Sequence, residues 1–394
     1  MTHFNFAPIS PLSATLENDD YILAKQLLEK LNNKIPSDQY VEQWEEVFST
    51  WLGVSTSTAW AGGRTALYVA VKTLNLQLGD EVIVPAFTCQ AVINAFKYQG
   101  VKPVYADIEQ HTYGLDIHAI KKVLSHKTKA IMLQYTFGLI SKDIGEILDW
   151  AKQNKLWIIE DCAHSLGASW QEKPLGTLGD IAIFSSERSK IINTIHGGMC
   201  STNHSELSKR LIGLKKIALQ TSHHKTELLL QTLITQYEEK QGLMPSYNAQ
   251  QTLPQMFPEE FQGEFISHYF EKMSDPIAAL ALNQFSKREH FQEKRNLAVD
   301  FWNRWCDKNK LQKPLVIKDS VPTFLRYPVY VGPENKQNLD QYLHELNILP
   351  GVWFTSAAHP TPTHLPNCPI GTQQAAGCIN MPTILPDAFY AHFE

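Results

Sequence analysis

The chain has 394 residues, of which 43% are hydrophobic and 19% are charged. This composition is typical of a soluble globular protein and excludes both a disordered chain and a membrane-spanning one. The formal net charge of −5, without any basic run, argues against nucleic acid as a partner.

Cysteine usage and the N-terminal sequence both favour the cytoplasm. Six cysteines are spread thinly and none forms a Cys-x-x-Cys pair, which is typical of free thiols in a reducing compartment. The first twenty residues lack the basic and apolar regions of a signal peptide. The most apolar helical stretch, TELLLQTLIT, is much shorter than the roughly 20 residues of a bilayer span.

From about Ser55 to Thr202, short β-branched runs alternate with segments of helical periodicity. This order predicts right-handed crossovers and a mostly parallel sheet that is covered by helices on both faces. The predicted strands are EVIVPAF, KPVYADI, KAIMLQYTFG, LWIIEDCAHS and DIAIFSS, and the predicted helices between them are QAVINAFKYQG, DIHAIKKVLSHK and DIGEILDWAKQNK.

The rest of the chain predicts an excursion and a second domain. Residues 203–270 are first helical and then irregular, around LMPSYNAQQTLPQMFPEEFQ. A single long amphipathic helix is expected from Asp275, and the strand FLRYPVYVG and the helix LDQYLHELN follow it. At this length two domains are expected, a large domain over residues 1–270 and a smaller α+β domain over residues 271–394.

Ligands of such sheets bind outside the carboxyl ends of the strands. In the stretch STAWAGGRTAL, Gly62 and Gly63 precede a helix that starts near Thr65, and the free N–H groups of a helix start suit a phosphate. An ordinary glycine-containing loop remains open as an alternative. The motifs of dinucleotide-binding and P-loop proteins are missing from the sequence.

Two further strand ends carry reactive side chains. Glu160 and Asp161 close one strand, and alternation places them on opposite faces of the sheet. Lys190 follows the strand DIAIFSS, and a buried lysine can react as a neutral amine with an aldehyde.

These residues together match the needs of pyridoxal 5′-phosphate (PLP). Gly63 to Thr65 and Ser185 would hold the phosphate, Lys190 the aldehyde and Asp161 the ring nitrogen. The ring faces would be covered from the neighbourhoods of Cys89 and Ala163.

The sequence resembles the DegT-type (DegT/DnrJ/StrS-like) aminotransferases over almost its whole length. The resemblance is carried by GGRTAL, GDEVIVPAFTCQAVINAFKYQGVKPVYADI, IIEDCAHSLGA, GDIAIFSSERSK followed by a Gly-Gly pair, and INMPT. It implies the fold type I of the aspartate aminotransferases, with a mostly parallel, seven-stranded type of sheet.

The resemblance also implies a role for each matching residue. Lys190 would be the Schiff-base lysine and general base, Asp161 the partner of the ring nitrogen, and His164 a group near the ring hydroxyl. Ser185 and the backbone of Arg64 and Thr65 would bind the cofactor phosphate.

The sequence departs from the family pattern at three positions. Cys89 stands where members usually stack an aromatic ring, so stacking would come from the thiol or from Phe87. Phe270 stands where many members supply an asparagine to a neighbouring subunit. Arg64 replaces a small residue, and its guanidinium could complete the phosphate site.

The resemblance implies transfer of an amino group from glutamate or glutamine to a keto-sugar, with a nucleotide-linked sugar expected, by a homodimer whose active site lies at the interface. Three alternatives stay open. A sugar dehydratase relative would carry histidine in place of Lys190, a non-catalytic or regulatory PLP-binding homologue would lack turnover, and a desulfurase would need a cysteine on a mobile loop.

His359, His364 and Cys368 superficially resemble metal ligands, but surface histidines in a Pro-rich loop are the favoured interpretation, and no metal site is expected.

Overall fold

The computed structural model describes residues 6–35, 39–243, 256–351 and 353–393. Its strands are β1 (Thr56–Trp60), β2 (Glu81–Pro85), β3 (Thr88–Cys89), β4 (Lys102–Ala106), β5 (Thr128–Gln134), β6 (Trp157–Asp161), β7 (Ser169–Trp170), β8 (Lys173–Pro174), β9 (Ile181–Ser185), β10 (Gly198–Thr202), β11 (Ser320–Val321), β12 (Arg326–Tyr330), β13 (Ala358–His359) and β14 (Cys378–Pro382).

Its helices are α1 (Asn18–Asn32), α2 (Tyr40–Leu52), α3 (Gly63–Thr73), α4 (Gln90–Lys97), α5 (Ile117–Val123), α6 (Ile144–Gln153), α7 (Ser205–Ile217), α8 (His223–Lys240), α9 (Pro258–Gln262), α10 (Asp275–Ser286), α11 (Arg288–Asn309), α12 (Pro333–Glu345), α13 (Pro369–Gly377) and α14 (Asp387–Phe393). Among the described residues, short 3₁₀ helices span Thr136–Gly138 and Ser267–Phe270.

A seven-stranded sheet in the order β1-β10-β9-β6-β5-β2-β4 forms the centre of the molecule. The neighbours from β9 to β4 are all parallel, while β10 runs antiparallel to both β9 and β1. All five strands predicted between residues 55 and 202 therefore lie in this sheet, and the mostly parallel α/β architecture predicted from the sequence is confirmed.

The sheet is buried because its strands are apolar on both faces. Ile83 of β2 packs into one apolar cluster, with α1, α2, α6 and α10, whereas Val82 and Val84 pack into a second cluster, with α3, α4 and α7. This alternation follows from the two-residue period of a strand. Helices on both faces leave the carboxyl ends of the parallel strands at one edge, where loops can form a cavity.

The C-terminal region has a separate apolar cluster. Strands β12 and β14 pair antiparallel, and the side chains of Trp302 and Phe389 pack with this two-stranded sheet. Helix α10 lies just after the predicted domain boundary at residue 270, but its Phe285 packs against Trp44 of α2. The division at residue 270 therefore stays a prediction, and α10 packs with the large region.

The single long helix expected from Asp275 is wrong, because Lys287 separates α10 from α11 with non-helical dihedral angles (φ −95°, ψ 3°). Its amine lies 2.8 Å from Asp19 and 2.6 Å from Asp20, both in α1. These ion pairs hold the junction between α10 and α11 against α1. The two helices can therefore run in different directions.

The excursion over residues 203–270 contains α7, α8 and α9, and part of its irregular stretch, residues 244–255, lies outside the described residues. In the described part of the chain, every helix is too short or too polar to cross a lipid bilayer.

Candidate active site

A cavity of about 690 Å³ lies at the carboxyl edge of the sheet. The nine residues predicted to bind the cofactor or to act in catalysis come from five separate segments of the chain. The structure brings all of them to this one cavity wall: Gly63, Arg64, Thr65, Cys89, Asp161, Ala163, His164, Ser185 and Lys190.

Lys190 lies in a loop that connects β9 with β10. Backbone hydrogen bonds join the two arms of this loop, from Ser186 N–H to Gly197 O (2.9 Å) and from Thr194 N–H to Ser186 O (2.8 Å). Ile195 has a left-handed backbone (φ 65°), which is unusual for a β-branched residue, and the buried Asn193 accepts its N–H at 2.8 Å. The loop therefore keeps its shape through its own hydrogen bonds and presents the lysine to the cavity.

Asp161 and Glu160 face opposite sides of the sheet, as the alternation predicts. Asp161 is 6% exposed and lines the cavity, and one of its carboxylate oxygens accepts the Ala163 N–H at 3.0 Å. Glu160 points away and accepts the Tyr135 hydroxyl at 2.6 Å and the Gly179 N–H at 2.6 Å. Burial raises the pKa of Asp161, whereas the Ala163 hydrogen bond and the charge of Lys190 lower it.

The first turn of α3 meets Ser185 at the same cavity. The N-cap residue Gly62 supplies no side-chain acceptor to the helix start. A Cβ atom on Gly63 would lie 2.8 Å from the Ser185 hydroxyl oxygen, and one on Gly198 would lie 2.7 Å from the Gly63 nitrogen. Glycine is therefore required at both positions, and the serine hydroxyl lies directly beside the helix N-terminus.

Arg64 is paired with a carboxylate that sequence reasoning did not find. Its guanidinium forms an ion pair with Glu260, whose side chain is fully buried. Glu260 also accepts the Tyr269 hydroxyl at 2.8 Å and the Phe257 N–H at 2.7 Å. The pair connects the start of α3 to α9, so the excursion forms one wall of the cavity, with Phe257, Phe261, Ile266 and His268 lining it.

His164 is held as a neutral donor. Its Nδ1 accepts the N–H of Phe137 at 3.1 Å, so the remaining proton lies on Nε2. Burial, together with the charges of Lys190 and Arg326, lowers the pKa of His164 well below its usual range.

Of the residues at the positions that depart from the family pattern, Arg64 and Cys89 line the cavity. Phe87 is fully buried and stacks on Tyr113 with ring centroids 5.7 Å apart. Phe270 packs against Trp60 behind α3, with centroids 6.1 Å apart. Neither phenylalanine is part of the cavity wall, so the idea that Phe87 supplies the stacking ring is not supported by its position.

Several cavity residues were missed, and most of them come from distant segments without a motif. Arg326 is an isolated charge in the apolar strand FLRYPVYVG, which is a signal that could have identified it. It is 4% exposed, its guanidinium donates to Pro11 O at 2.9 Å, and burial lowers its pKa to about 9. Other missed residues include Lys225, Trp353 and His359 from distant segments, and Glu187 and His196 from the lysine loop itself.

The interpretation of His359 as a surface histidine is wrong. It is half-buried in the cavity wall, and burial lowers its pKa to about 4. His364 is exposed, and Cys368 is buried beside the carbonyl of Tyr105. The described residues contain no group of three or more acidic, histidine or cysteine side chains placed to hold a metal ion.

Two buried histidines predict how stability depends on pH. Burial lowers the pKa of both His164 and His196 well below 6.5, so the unfolded chain binds protons there that the folded chain does not. We expect the free energy of unfolding to fall below pH 6.5 by about 1.4 kcal/mol per pH unit for each histidine. Urea unfolding at several pH values between 7.5 and 5 measures this dependence. His196→Gln should reduce the slope of the unfolding free energy against pH by the contribution of about one proton. An unchanged slope in that variant would contradict the assignment.

Residues 20–385 match the model of the DegT/DnrJ/EryC1/StrS aminotransferase family. The chain is 28% identical over 354 residues to GDP-perosamine synthase of Caulobacter vibrioides, covering 88% of this chain and 85% of that relative. It is 31% identical over 262 residues to dTDP-3-amino-3,6-dideoxy-alpha-D-galactopyranose transaminase of Aneurinibacillus thermoaerophilus, covering 65% of this chain and 70% of the relative.

The fold is also similar to solved structures. The structure of ntda from Bacillus subtilis with bound cofactor PMP superposes with a TM-score of 0.76 at 20% identity, covering all of this chain and 84% of that one. At this identity the similarity concerns the fold.

Proposed function

Because the chain belongs to the DegT/DnrJ/EryC1/StrS aminotransferase family, we propose that its cavity transfers an amino group from glutamate or glutamine to a keto-sugar, with PLP as the cofactor. The observation that carries this proposal is the convergence of Lys190, Asp161 and the α3 N-terminus on one cavity.

The residues present fit this cofactor. A phosphate needs donors and room, and the close approach of Ser185 to Gly63 places a hydroxyl beside the N–H groups of α3. A protonated ring nitrogen needs a buried carboxylate, which Asp161 supplies. The aldehyde needs an amine, and burial lowers the pKa of Lys190, which favours the neutral, nucleophilic form. The sites of PLP binding are therefore proposed as Gly63, Arg64, Thr65, Cys89, Asp161, Ala163, His164, Ser185 and Lys190.

When bound, PLP supplies a ring that accepts the electrons released from the cleaved C–H bond of the amino donor. Lys190 is the proposed base, since its amine would take the proton from the α-carbon of the amino donor and deliver it to the cofactor carbon that carries the transferred nitrogen. Asp161 would stabilise the positive charge of the protonated ring nitrogen. The Ala163 N–H fixes the orientation of its carboxylate. His164 donates from Nε2, because Phe137 occupies its other ring nitrogen.

The amino acceptor is proposed to be a nucleotide-linked keto-sugar in the biosynthesis of surface polysaccharides or secondary metabolites. This is supported by the names of the two relatives, a GDP-perosamine synthase and a dTDP-amino-sugar transaminase. Phe257, Phe261 and Lys225 also line this cavity.

The alternatives have less support. A dehydratase of this fold would carry histidine where this chain has Lys190. A desulfurase would need a mobile cysteine, whereas the one cysteine of the cavity wall, Cys89, lies in β3 and is paired with β13. A purely binding or regulatory protein would not need the combination of a base and a ring-nitrogen partner.

The experiment that tests the proposal uses the purified protein loaded with PLP. We expect glutamate to change the absorbance of the bound cofactor and to release 2-oxoglutarate. A panel of GDP-, UDP- and dTDP-linked keto-sugars, followed by mass spectrometry, should then identify one that gains an amino group. A cofactor spectrum that neither glutamate nor glutamine alters would contradict amino transfer.

The role of Arg64 can be separated from that of its partner. If its guanidinium completes the phosphate site, Arg64→Ala should weaken PLP binding by about tenfold to a hundredfold, since a charged hydrogen bond is lost. Glu260→Gln removes the carboxylate and leaves the arginine in place, so it should retain PLP affinity. Equilibrium titration of the apoprotein with PLP measures both variants. Equal losses would instead assign Arg64 the role of anchoring α9.

We further propose that the chain forms a homodimer in the cytoplasm, with the active site at the interface. Exposed apolar side chains support a partner surface, namely Ile212, Ile217, Leu219, Phe261 and Phe265, which are 43%, 69%, 50%, 50% and 51% exposed. All six cysteines are free thiols, in keeping with a reducing compartment. Light scattering coupled to size exclusion tests the dimer, and a monomeric mass at micromolar concentration would contradict it.

A further inference from the structure

The amine of Lys190 lies against an aromatic face. Its Nζ is 4.2 Å from the centroid of the Trp353 indole ring, which is within the range of a cation–π interaction. The indole is itself stacked on the imidazole of His164, with ring centroids 4.7 Å apart and planes 9° from parallel. The lysine amine therefore lies against an indole ring whose orientation is fixed by stacking on His164.

The loop that carries Trp353 is anchored on both sides. Before it, the Gly351 N–H donates to Asn380 O at 2.7 Å, and the Asn380 side chain donates to the carbonyl of Trp353. After it, β13 pairs in parallel with β3, so that His359 is opposite Cys89. This fixes Trp353 in a wall of the cavity.

A carboxylate lies on the same turn as the lysine. The Lys190 N–H donates to the carbonyl of Glu187 at 2.8 Å, which closes a tight turn and brings the two side chains to one cavity. The Glu187 carboxylate accepts the Ser189 N–H at 3.0 Å and lies 3.4 Å from Arg188, and its side chain is 12% exposed. Glu187 and Lys190 therefore line the same cavity, and the negative charge of Glu187 raises the pKa of the amine.

We propose that Trp353 and Glu187 form a holding site for the Lys190 amine, which the amine occupies whenever it is not bonded to the cofactor aldehyde. The inference rests on the proposed function in taking Lys190 as the amine that bonds this aldehyde. The holding site keeps the freed lysine inside the cavity, where it is ready to accept or return a proton. Trp353 and Glu187 are positioning residues in this account, because they act through Lys190.

The charges around the amine determine the direction of the expected effects. Burial lowers the pKa of Lys190, and the charge of Glu187 opposes this most strongly among the neighbouring groups. The other titratable groups that face the amine are Cys89 and Asp161, which raise its pKa, and Arg326, which lowers it, while His164 lies beside it as a neutral ring.

The test measures the pKa of Lys190 in the apoprotein, by acetylation at a series of pH values and quantitative mass spectrometry of the Lys190 peptide. Glu187→Gln keeps the shape and the Ser189 hydrogen bond but removes the charge, so the pKa should fall by about one unit. At a pH below the pKa, labelling should then be about tenfold faster. Trp353→Phe should shift the pKa in the same direction by less, because a benzene ring attracts a cation less than an indole does.

Glu45→Gln is the matched control. Glu45 is similarly buried, with its side chain 15% exposed, but it pairs with Lys215 outside the cavity, and its loss should leave Lys190 labelling unchanged. An unchanged pKa in Glu187→Gln, an unchanged pKa in Trp353→Phe, or an equal shift in the control would each overturn the holding site. Since no cofactor is present in this assay, such a result would leave the proposed amino transfer to be judged by its own test.

Discussion

Lys190→Ala should lower kcat for amino transfer by at least about a thousandfold, because the substitution removes both the nucleophile and the proposed base. The phosphate cradle of Ser185 and α3 does not involve the lysine, so the variant should still bind PLP without a covalent bond. Borohydride reduction followed by mass spectrometry distinguishes these states. The wild type should gain the mass of the reduced cofactor on the Lys190 peptide, and the variant should gain none.

Lys225→Ala controls for the loss of any buried lysine from the same cavity. Lys225 is 8% exposed and pairs with Glu271 at 2.6 Å, so it is engaged by a carboxylate of its own. The control should retain the cofactor mass at Lys190 after reduction. Capture at a different lysine, or full turnover of Lys190→Ala, would show that the amine at position 190 is not the reactive one.

The sequence was sufficient for those parts of the site that depend on local order. Asp161 and Ser185 end adjacent parallel strands, and such ends must meet at one edge of a sheet. The opposite orientations of Glu160 and Asp161 follow from strand periodicity alone.

Most of the parts that escaped prediction depend on contacts between distant segments. Trp353 reaches the lysine only because the C-terminal loop pairs with β3, and Glu260 reaches Arg64 across 196 residues of chain. The break at Lys287 likewise depends on carboxylates in α1. No periodicity within one segment carries information about such pairs.

Asp161→Asn is the second substitution with a large expected effect. The amide has nearly the same shape as the carboxylate and can still accept the Ala163 N–H, so mainly the charge is lost. Without that charge the ring nitrogen of the proposed cofactor is not held in its protonated form, and kcat/KM should fall by about a hundredfold to a thousandfold. Steady-state kinetics measure this, and the stability of the variant should change little, since the removal of a buried charge offsets the loss of its attraction to Lys190.

Glu160→Gln tests whether the effect belongs to the cavity or to the strand. Glu160 accepts hydrogen bonds from Tyr135 and from the backbone of Gly176, Leu178 and Gly179 on the other face of the sheet. Its replacement weakens those bonds, so we expect a loss of about 1–3 kcal/mol in the free energy of unfolding and nearly normal kcat in the folded protein. The two neighbours should therefore separate activity from stability. If Glu160→Gln lowered kcat as much as Asp161→Asn, the carboxylate of Asp161 would have no special place in the chemistry.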